Sequence, residues 1–226
     1  YLLGKNELAD IAYLAEHYEK TVLILNIANL VDTTELKKIK GLNAILLAGQ
    51  AGNATGNIVA DVVLGKSIPS GKLTDTWAAS YEDYPSSKNF SHNNGDTNDE
   101  YYNDGIYVGY RYFETFAPEK VMYEFGFGLS YTEFSMETVK AESTGNGKDA
   151  KIALSIRVKN TGAAAGKEAA QVYVSAPQGQ LGKPAKVLCG FAKTKLLAPG
   201  EEEVLELTIP VSRFASYDDS GVTGHK

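Results

Sequence analysis

Four carboxylates, Asp96, Asp99, Glu100 and Asp104, lie close together in a stretch that also holds Asn93, Asn94, Asn98 and Asn103. Paired carboxyls can work as acid and nucleophile on a glycosidic bond, and clustered oxygens can hold calcium. The spacing fits no EF-hand, and acidic loops are mostly solvated, so a structural or rim role is the expectation. Gly65-Lys66-Ser67 looks like the tail of a phosphate loop, yet Ala60 stands where that pattern needs glycine and Ile68-Pro69 follows where it needs a helix. The run Gly49-Gln50-Ala51-Gly52-Asn53-Ala54-Thr55-Gly56 follows a strand signal and precedes a helix signal. Its amides either face a ligand at the carboxyl edge of a sheet or serve close packing in a tight turn, and both readings stay open.

The other reactive side chains carry less. Cys189 is the single cysteine, and His17, His92 and His225 are scattered, so no metal site is expected from their spacing and no internal disulfide exists. Cys189 reads as a small apolar strand residue without an activated thiolate. Arg111, set among aromatics, can stack or pair with a carboxylate, and pairing is the expectation. Asn53-Ala54-Thr55 and Asn89-Phe90-Ser91 match the glycosylation sequon.

Two different patterns must position these residues. From residue 6 to about 65, helix and strand signals alternate. Asn6 is the predicted cap of a helix whose apolar residues Leu8, Ile11, Ala12, Leu14 and Ala15 share a face. Thr21 to Leu25 and Ala44 to Ala48 are continuous apolar runs, as strands buried on both faces of a parallel sheet require. Short helices are predicted around Thr34 to Ile39 and from Ile58 to Leu64. Two or three strands make only part of a layered sheet, so further strands are expected upstream of Tyr1. From about residue 132 the period becomes two. Ile152, Leu154, Ile156 and Val158 alternate with small or charged residues, Asn160-Thr161-Gly162 ends that strand, and Ala170 to Val174 starts another. Pro199-Gly200 then turns the chain into Val204 to Ile209. Short strands with turn signals predict an immunoglobulin-like or fibronectin-III-like sandwich. The predicted fold is thus α/β followed by all-β, with a partial α/β sandwich domain over 1–84, an aromatic-rich strap over 85–131 and a β-sandwich over 132–226. The strap's Tyr101, Tyr102, Tyr107, Tyr110, Tyr112, Phe113 and Phe116 are expected to bury much of their area across both domains.

The composition excludes several classes. With 43% hydrophobic and 22% charged residues over 226 positions, the chain can bury a sizeable core. The formal charge of −6 disfavours nucleic acid and anionic membrane as partners. No apolar run approaches the roughly 20 residues of a membrane span.

The order of several motifs is more specific. Ile45-Leu46-Leu47-Ala48-Gly49-Gln50-Ala51-Gly52-Asn53, Ala60-Asp61-Val62-Val63-Leu64-Gly65-Lys66 and Pro69-Ser70-Gly71-Lys72-Leu73 resemble the later part of the α/β sandwich domain of family 3 glycoside hydrolases. Gly105-Ile106-Tyr107-Val108-Gly109-Tyr110-Arg111-Tyr112-Phe113 and Tyr123-Glu124-Phe125-Gly126-Phe127-Gly128-Leu129-Ser130-Tyr131-Thr132 resemble that family's passage into its fibronectin-III-like domain. Lys159-Asn160-Thr161-Gly162, Glu168 to Val174 and Leu197-Ala198-Pro199-Gly200-Glu201 continue the resemblance to near the end.

The resemblance implies a retaining β-glucosidase or related exo-acting enzyme that takes a β-glucoside or oligosaccharide, with no cofactor. In this family a barrel domain carries an aspartate nucleophile and the sandwich domain lends a glutamate acid/base. Neither the Ser-Asp-Trp type nor the Glu-Gly-x-Asp-Arg type motif occurs here, so no catalytic residue is assigned, the substrate-binding residues stay unknown, and the barrel domain of the same enzyme is an expected partner. Asp32-Thr33-Thr34 and Asn98 to Tyr102 look closest to members in which the barrel follows the fibronectin-like domain. The competing reading is a stand-alone carbohydrate-binding or adhesion module; bacterial cytoplasm and export both remain open. Because Tyr217-Asp218-Asp219 should lead into another strand, the parent chain is expected to continue past Lys226. A stop codon directly after Lys226 in the parent gene would refute this.

Overall fold

The computed structural model describes residues 2–179 and 181–216, so His225 and the strand expected after Tyr217-Asp218-Asp219 lie outside the described residues. Two compact units emerge, and they interleave in sequence. The first gathers Tyr1–Ser67, Asp75–Gly105 and Ala117–Phe125; the second gathers Ile68–Thr74, Ile106–Phe116 and Gly126–Lys226.

In the first unit, helix α1 spans Lys5–His17, strand β1 Thr21–Leu25, strand β2 Leu42–Leu47 and helix α2 Thr55–Val63. Helix α1 begins one residue before Asn6, and the cap falls on Gly4. The reason is the Glu7 carboxylate, which accepts the Gly4 N–H at 2.7 Å. Strands β1 and β2 pair in parallel, Leu23 with Ile45 and Ile24 with Leu46. The helix expected around Thr34 to Ile39 shrinks to a 3-10 turn over Leu36–Lys38. Thr34 spends its amide on the Asp32 carboxylate and its hydroxyl on the Ala79 carbonyl, while the Leu36 side chain is buried. Gly41 (φ +88°) needs to be glycine, because a Cβ there would sit 2.2 Å from the Ala15 carbonyl oxygen. The expectation of strands buried on both faces holds only in part. Leu25 is buried, but Val22 and Ile24 are 45% and 39% exposed, since no element among the described residues covers that face of β1. A short antiparallel pair, β3 (Trp77–Ala78) with β4 (Val121–Tyr123), completes the unit.

The second unit is the all-β part, preceded by helix α3 over Tyr110–Phe116. Strands β5 (Phe134–Thr144), β6 (Lys151–Asn160) and β9 (Glu202–Pro210) form one antiparallel sheet in the order β5-β6-β9, and β7 (Ala169–Val174) pairs with β8 (Val187–Lys193). Leu154 faces Leu207 and Ile156 faces Leu205 across β6 and β9, as the period-two pattern requires. Ile156, Val158, Ala170, Leu197 and Leu205 form the buried cluster, with Phe134, Val172, Ala192 and Leu207 packed against it. Gly190 lets strand β8 approach: a Cβ there would press on the Ile209 and Leu207 side chains at 3.1 to 3.3 Å. Among the described residues no helix is long and apolar enough to cross a membrane.

Leu197 is fully buried, so Leu197→Ala should cost about 3 kcal/mol through lost burial and the cavity left behind. The midpoint and slope of urea unfolding measure it, with the slope unchanged.

Candidate functional site

The acidic loop is the first place to look for chemistry, and two of its four carboxylates, Asp96 and Glu100, serve the loop itself. Asp96 accepts the amides of Asn98 and Asp99 at 2.9 and 3.3 Å, and its own amide donates to Asn94 at 3.0 Å. His92 Nδ1 lies 2.7 Å from the Asp96 carbonyl oxygen and 3.6 Å from a Glu100 carboxylate oxygen. Asn93 donates to the Ser87 carbonyl and the Tyr81 hydroxyl, and Asn89 donates to the Tyr101 carbonyl. Ser91 and His92 adopt left-handed φ of 51° and 64°, a conformation that costs non-glycine residues of order 1 kcal/mol each. Among the described residues no three His, Cys, Asp or Glu side chains converge on a possible metal position.

The two glycine motifs part company. Gly65-Lys66-Ser67 closes a helix rather than opening one: the Gly65 amide donates to Val62, and those of Lys66 and Ser67 to Asp61. Those amides are the groups a phosphate would need, and they sit at the negative end of α2. Gly49 and Gly52, at φ +62° and +66°, have open space where a Cβ would go. Backbone conformation, not close packing, therefore calls for glycine there.

Cys189 is buried in β8 with its Sγ 3.2 Å from the Val172 carbonyl, and burial pushes its thiol above the ordinary range. Arg111 stacks on an aromatic ring: its guanidinium lies 5.8 Å from the centre of the Tyr110 ring, and among the described residues its buried Nε has no hydrogen-bond acceptor and its guanidinium no carboxylate partner. His17 stacks on Tyr13 at 3.9 Å. The aromatic-rich segment is only partly buried. Phe113 is enclosed, and Tyr107 and Tyr112 pack on Phe116 at 4.8 and 5.7 Å, but Phe116 itself is exposed, as are Tyr101 and Tyr102. Burial was expected for all of them; short polar neighbours in the 93–105 stretch give Tyr101 and Tyr102 nothing apolar to pack on. Trp77 is buried edge-on to Tyr123 at 6.1 Å, so its ring is not free to stack on a sugar.

Two polar clusters in the second unit gave no signal in the sequence as sites. In one, Lys72 Nζ donates to Glu168 Oε1 and to the Gly128 carbonyl, both at 2.8 Å. Glu168 Oε1 also accepts the Ala169 amide at 2.7 Å, the Glu168 amide donates to the Thr194 hydroxyl, and the Glu168 carbonyl accepts the Thr194 amide. Leu73 pairs with Phe127 and Gly126, Gln171 donates to the Gly126 carbonyl, and Lys193 reaches the Ser70 carbonyl. The Pro69 to Leu73 segment is thereby stitched to β7 and β8. In the other, fully buried Asn160 satisfies every polar group it has. Its Oδ1 accepts from Thr132 and Gly162, its Nδ2 donates to the carbonyls of Ala164 and Leu197, and its backbone pairs with Glu201 and Gly200. A single Asn after an alternating strand reads as a turn residue, which is why the sequence gave no sign of this role.

Residues 2–110 match the glycosyl hydrolase family 3 C-terminal domain, and residues 168–223 match the fibronectin type III-like domain. The chain belongs to glycosyl hydrolase family 3, carrying these two parts of it. It is 44% identical over 225 residues to a β-glucosidase of Ruminococcus albus, covering 100% of this chain and 23% of that protein. Against β-glucosidase A of Butyrivibrio fibrisolvens it is 45% identical over 235 residues, covering 98% of this chain and 28% of the relative. Among solved structures it resembles a β-glucosidase from Paenibacillus barengoltzii with a TM-score of 0.92 and 44% identity, over 98% of this chain and 24% of that one. β-Glucosidase 3B from Thermotoga neapolitana, determined in complex with glucose, matches with a TM-score of 0.87 at 38% identity, over 96% of this chain and 30% of its own. The chain thus spans about a quarter of the length of these relatives.

Two measurements test the site's physical chemistry. Lys72→Met should cost about 3 kcal/mol by leaving Glu168 without its counter-charge, whereas Lys72→Met with Glu168→Leu should recover most of that loss. A double-mutant cycle from chemical denaturation decides it. Alkylation of Cys189 by iodoacetamide at pH 8 should be at least about a hundredfold slower in the native chain than in urea, since only the thiolate reacts and burial disfavours it.

Proposed function

We propose that this chain is the non-barrel portion of a retaining β-glucosidase that removes terminal β-D-glucosyl residues. The observation that carries this reading is that nearly every residue aligns with β-glucosidases at 44 to 45% identity while most of each relative lies outside the match. On this reading the parent divides as a partial α/β sandwich over 1–84, a connecting strap over 85–131 and the fibronectin-like domain from 132 onward. Further strands extend the α/β sheet at its edges, and the helices that connect them cover the Val22 and Ile24 face of β1. The reaction needs one carboxylate to attack the anomeric carbon and another to protonate the leaving oxygen and then activate water. We assign neither to this chain, whose clustered carboxylates Asp96 and Glu100 are engaged with the amides and the histidine of their own loop. The role left to these residues is to shape a wall of the active site and to buttress the barrel.

Hydrolysis of nitrophenyl β-glucoside tests the proposal. The 226-residue chain alone should be inactive, and activity should return when the rest of the parent, carrying both the barrel and the missing part of the sandwich domain, is added. Turnover by the chain alone would place a catalytic pair within it and overturn the assignment.

A further inference from the structure

The sequence holds two Asn-Gly pairs, Asn94-Gly95 and Asn146-Gly147. An asparagine before glycine can modify itself, because no Cβ on the next residue hinders that residue's amide nitrogen from reaching the side-chain carbonyl carbon. Access is alike at both pairs: Gly95 and Gly147 have nothing within 4 Å of where a Cβ would stand, and both asparagines are exposed. Hydrogen bonding separates them. At the first pair the attacking nitrogen is occupied, since the Gly95 amide donates to the His92 carbonyl at 2.8 Å, and the target is held too, with Asn94 Oδ1 accepting the Asp96 amide at 3.0 Å. At the second pair, in the hairpin between β5 and β6, the Gly147 amide donates to no acceptor among the described residues and the Asn146 side chain makes no capping hydrogen bond. Asn146 holds ψ at 152°, so ring closure requires the peptide plane beyond it to turn. That turn breaks one long bond, from the Asp149 amide to the Asn146 carbonyl at 3.2 Å. The ladder is left intact, because the pairing of β5 with β6 ends at Thr144 and Lys151.

We infer that Asn146 is a site of spontaneous deamidation and that Asn94 is protected by the bonds of its own loop. The Gly147 nitrogen gives its proton to solvent and bonds to Asn146 Cγ; the Cγ–Nδ2 bond breaks, and ammonia leaves with a proton taken back from water. Water then opens the cyclic imide at either carbonyl, giving aspartate or isoaspartate. Either product adds one negative charge to a chain of formal charge −6, and isoaspartate also adds a methylene to the hairpin backbone. The inference is independent of the glucosidase reading, which stands or falls separately.

The test holds the intact parent enzyme at pH 8, folded or in urea, and follows both sites by peptide mass spectrometry. Trypsin puts them on separate peptides, because Lys140 and Lys148 flank one and Lys88 and Arg111 flank the other. In the folded enzyme Asn146 should acquire the mass change of NH2 replaced by OH about tenfold faster than Asn94, the scale set by opening a loop against its hydrogen bonds. In urea the two rates should converge, and isoaspartyl methyltransferase should label the Ala141–Lys148 peptide from the folded enzyme. Gly147→Ala should slow reaction at Asn146 about tenfold through the added Cβ and leave Asn94 unchanged. Equal rates in the folded enzyme, faster reaction at Asn94, an unreacted Asn146 in folded enzyme over the time in which the urea-treated chain reacts, or aspartate without isoaspartate would each overturn the inference.

Discussion

A polar side chain can sit at the centre of a β-sandwich only if every hydrogen-bonding group on it finds a partner, and Asn160 meets that condition in full. It stands at the end of β6, where the chain must leave the sheet. Its six partners gather the approach to β5 at Thr132, the turn at Gly162 and Ala164, the buried Leu197 and the 200–201 turn into β9. The apolar cluster of Ile156, Val158, Leu197 and Leu205 lies beside these bonds. Burial supplies the driving force, and Asn160 supplies the geometry that makes one closure better than its neighbours. Gly162 and Gly166 fit the same arrangement, because a Cβ on either would collide with Thr132.

The Lys72 and Glu168 pair does comparable work elsewhere in this unit. Both side chains are largely withdrawn from water, and each has neutral hydrogen bonds besides the ion pair: Lys72 to the Gly128 carbonyl, Glu168 from the Ala169 amide. Those extra bonds offset the desolvation that would otherwise make such a pair unfavourable. The consequence is topological. A segment that follows α2 in sequence folds as part of the β unit, so the two compact units cannot be cut apart at one point in the chain.

Against these closed clusters stand surfaces that the chain does not close. The Val22 and Ile24 face of β1 and the rings of Phe90, Tyr101 and Tyr102 are apolar area in water. A parallel sheet is normally covered on both faces, which is why its strands are apolar throughout. These open areas agree with a chain that spans about a quarter of the relatives it matches. The packing chemistry is well developed, while of the carboxylates that look reactive in the sequence Asp96 holds a turn and Glu100 lies beside His92.

The sequence alone determined whatever depends on local period and local backbone rules. The parallel pair β1 and β2, the strands β6, β7 and β9, and the family itself were legible, because apolar runs, strict alternation and ordered motifs do not depend on distant partners. The failed phosphate loop was legible too, from Ala60 and Ile68-Pro69. Tertiary structure alone decided where isolated polar residues spend their hydrogen bonds. It turned Asn160 from a turn residue into a hub, joined Lys72 to Glu168 across 96 positions of sequence, set Arg111 on an aromatic ring instead of a carboxylate, and left Tyr102 in solvent. The physical reason is common to all four. A polar or aromatic side chain has several acceptable partners, and only the folded chain fixes which one is within about 3 to 6 Å.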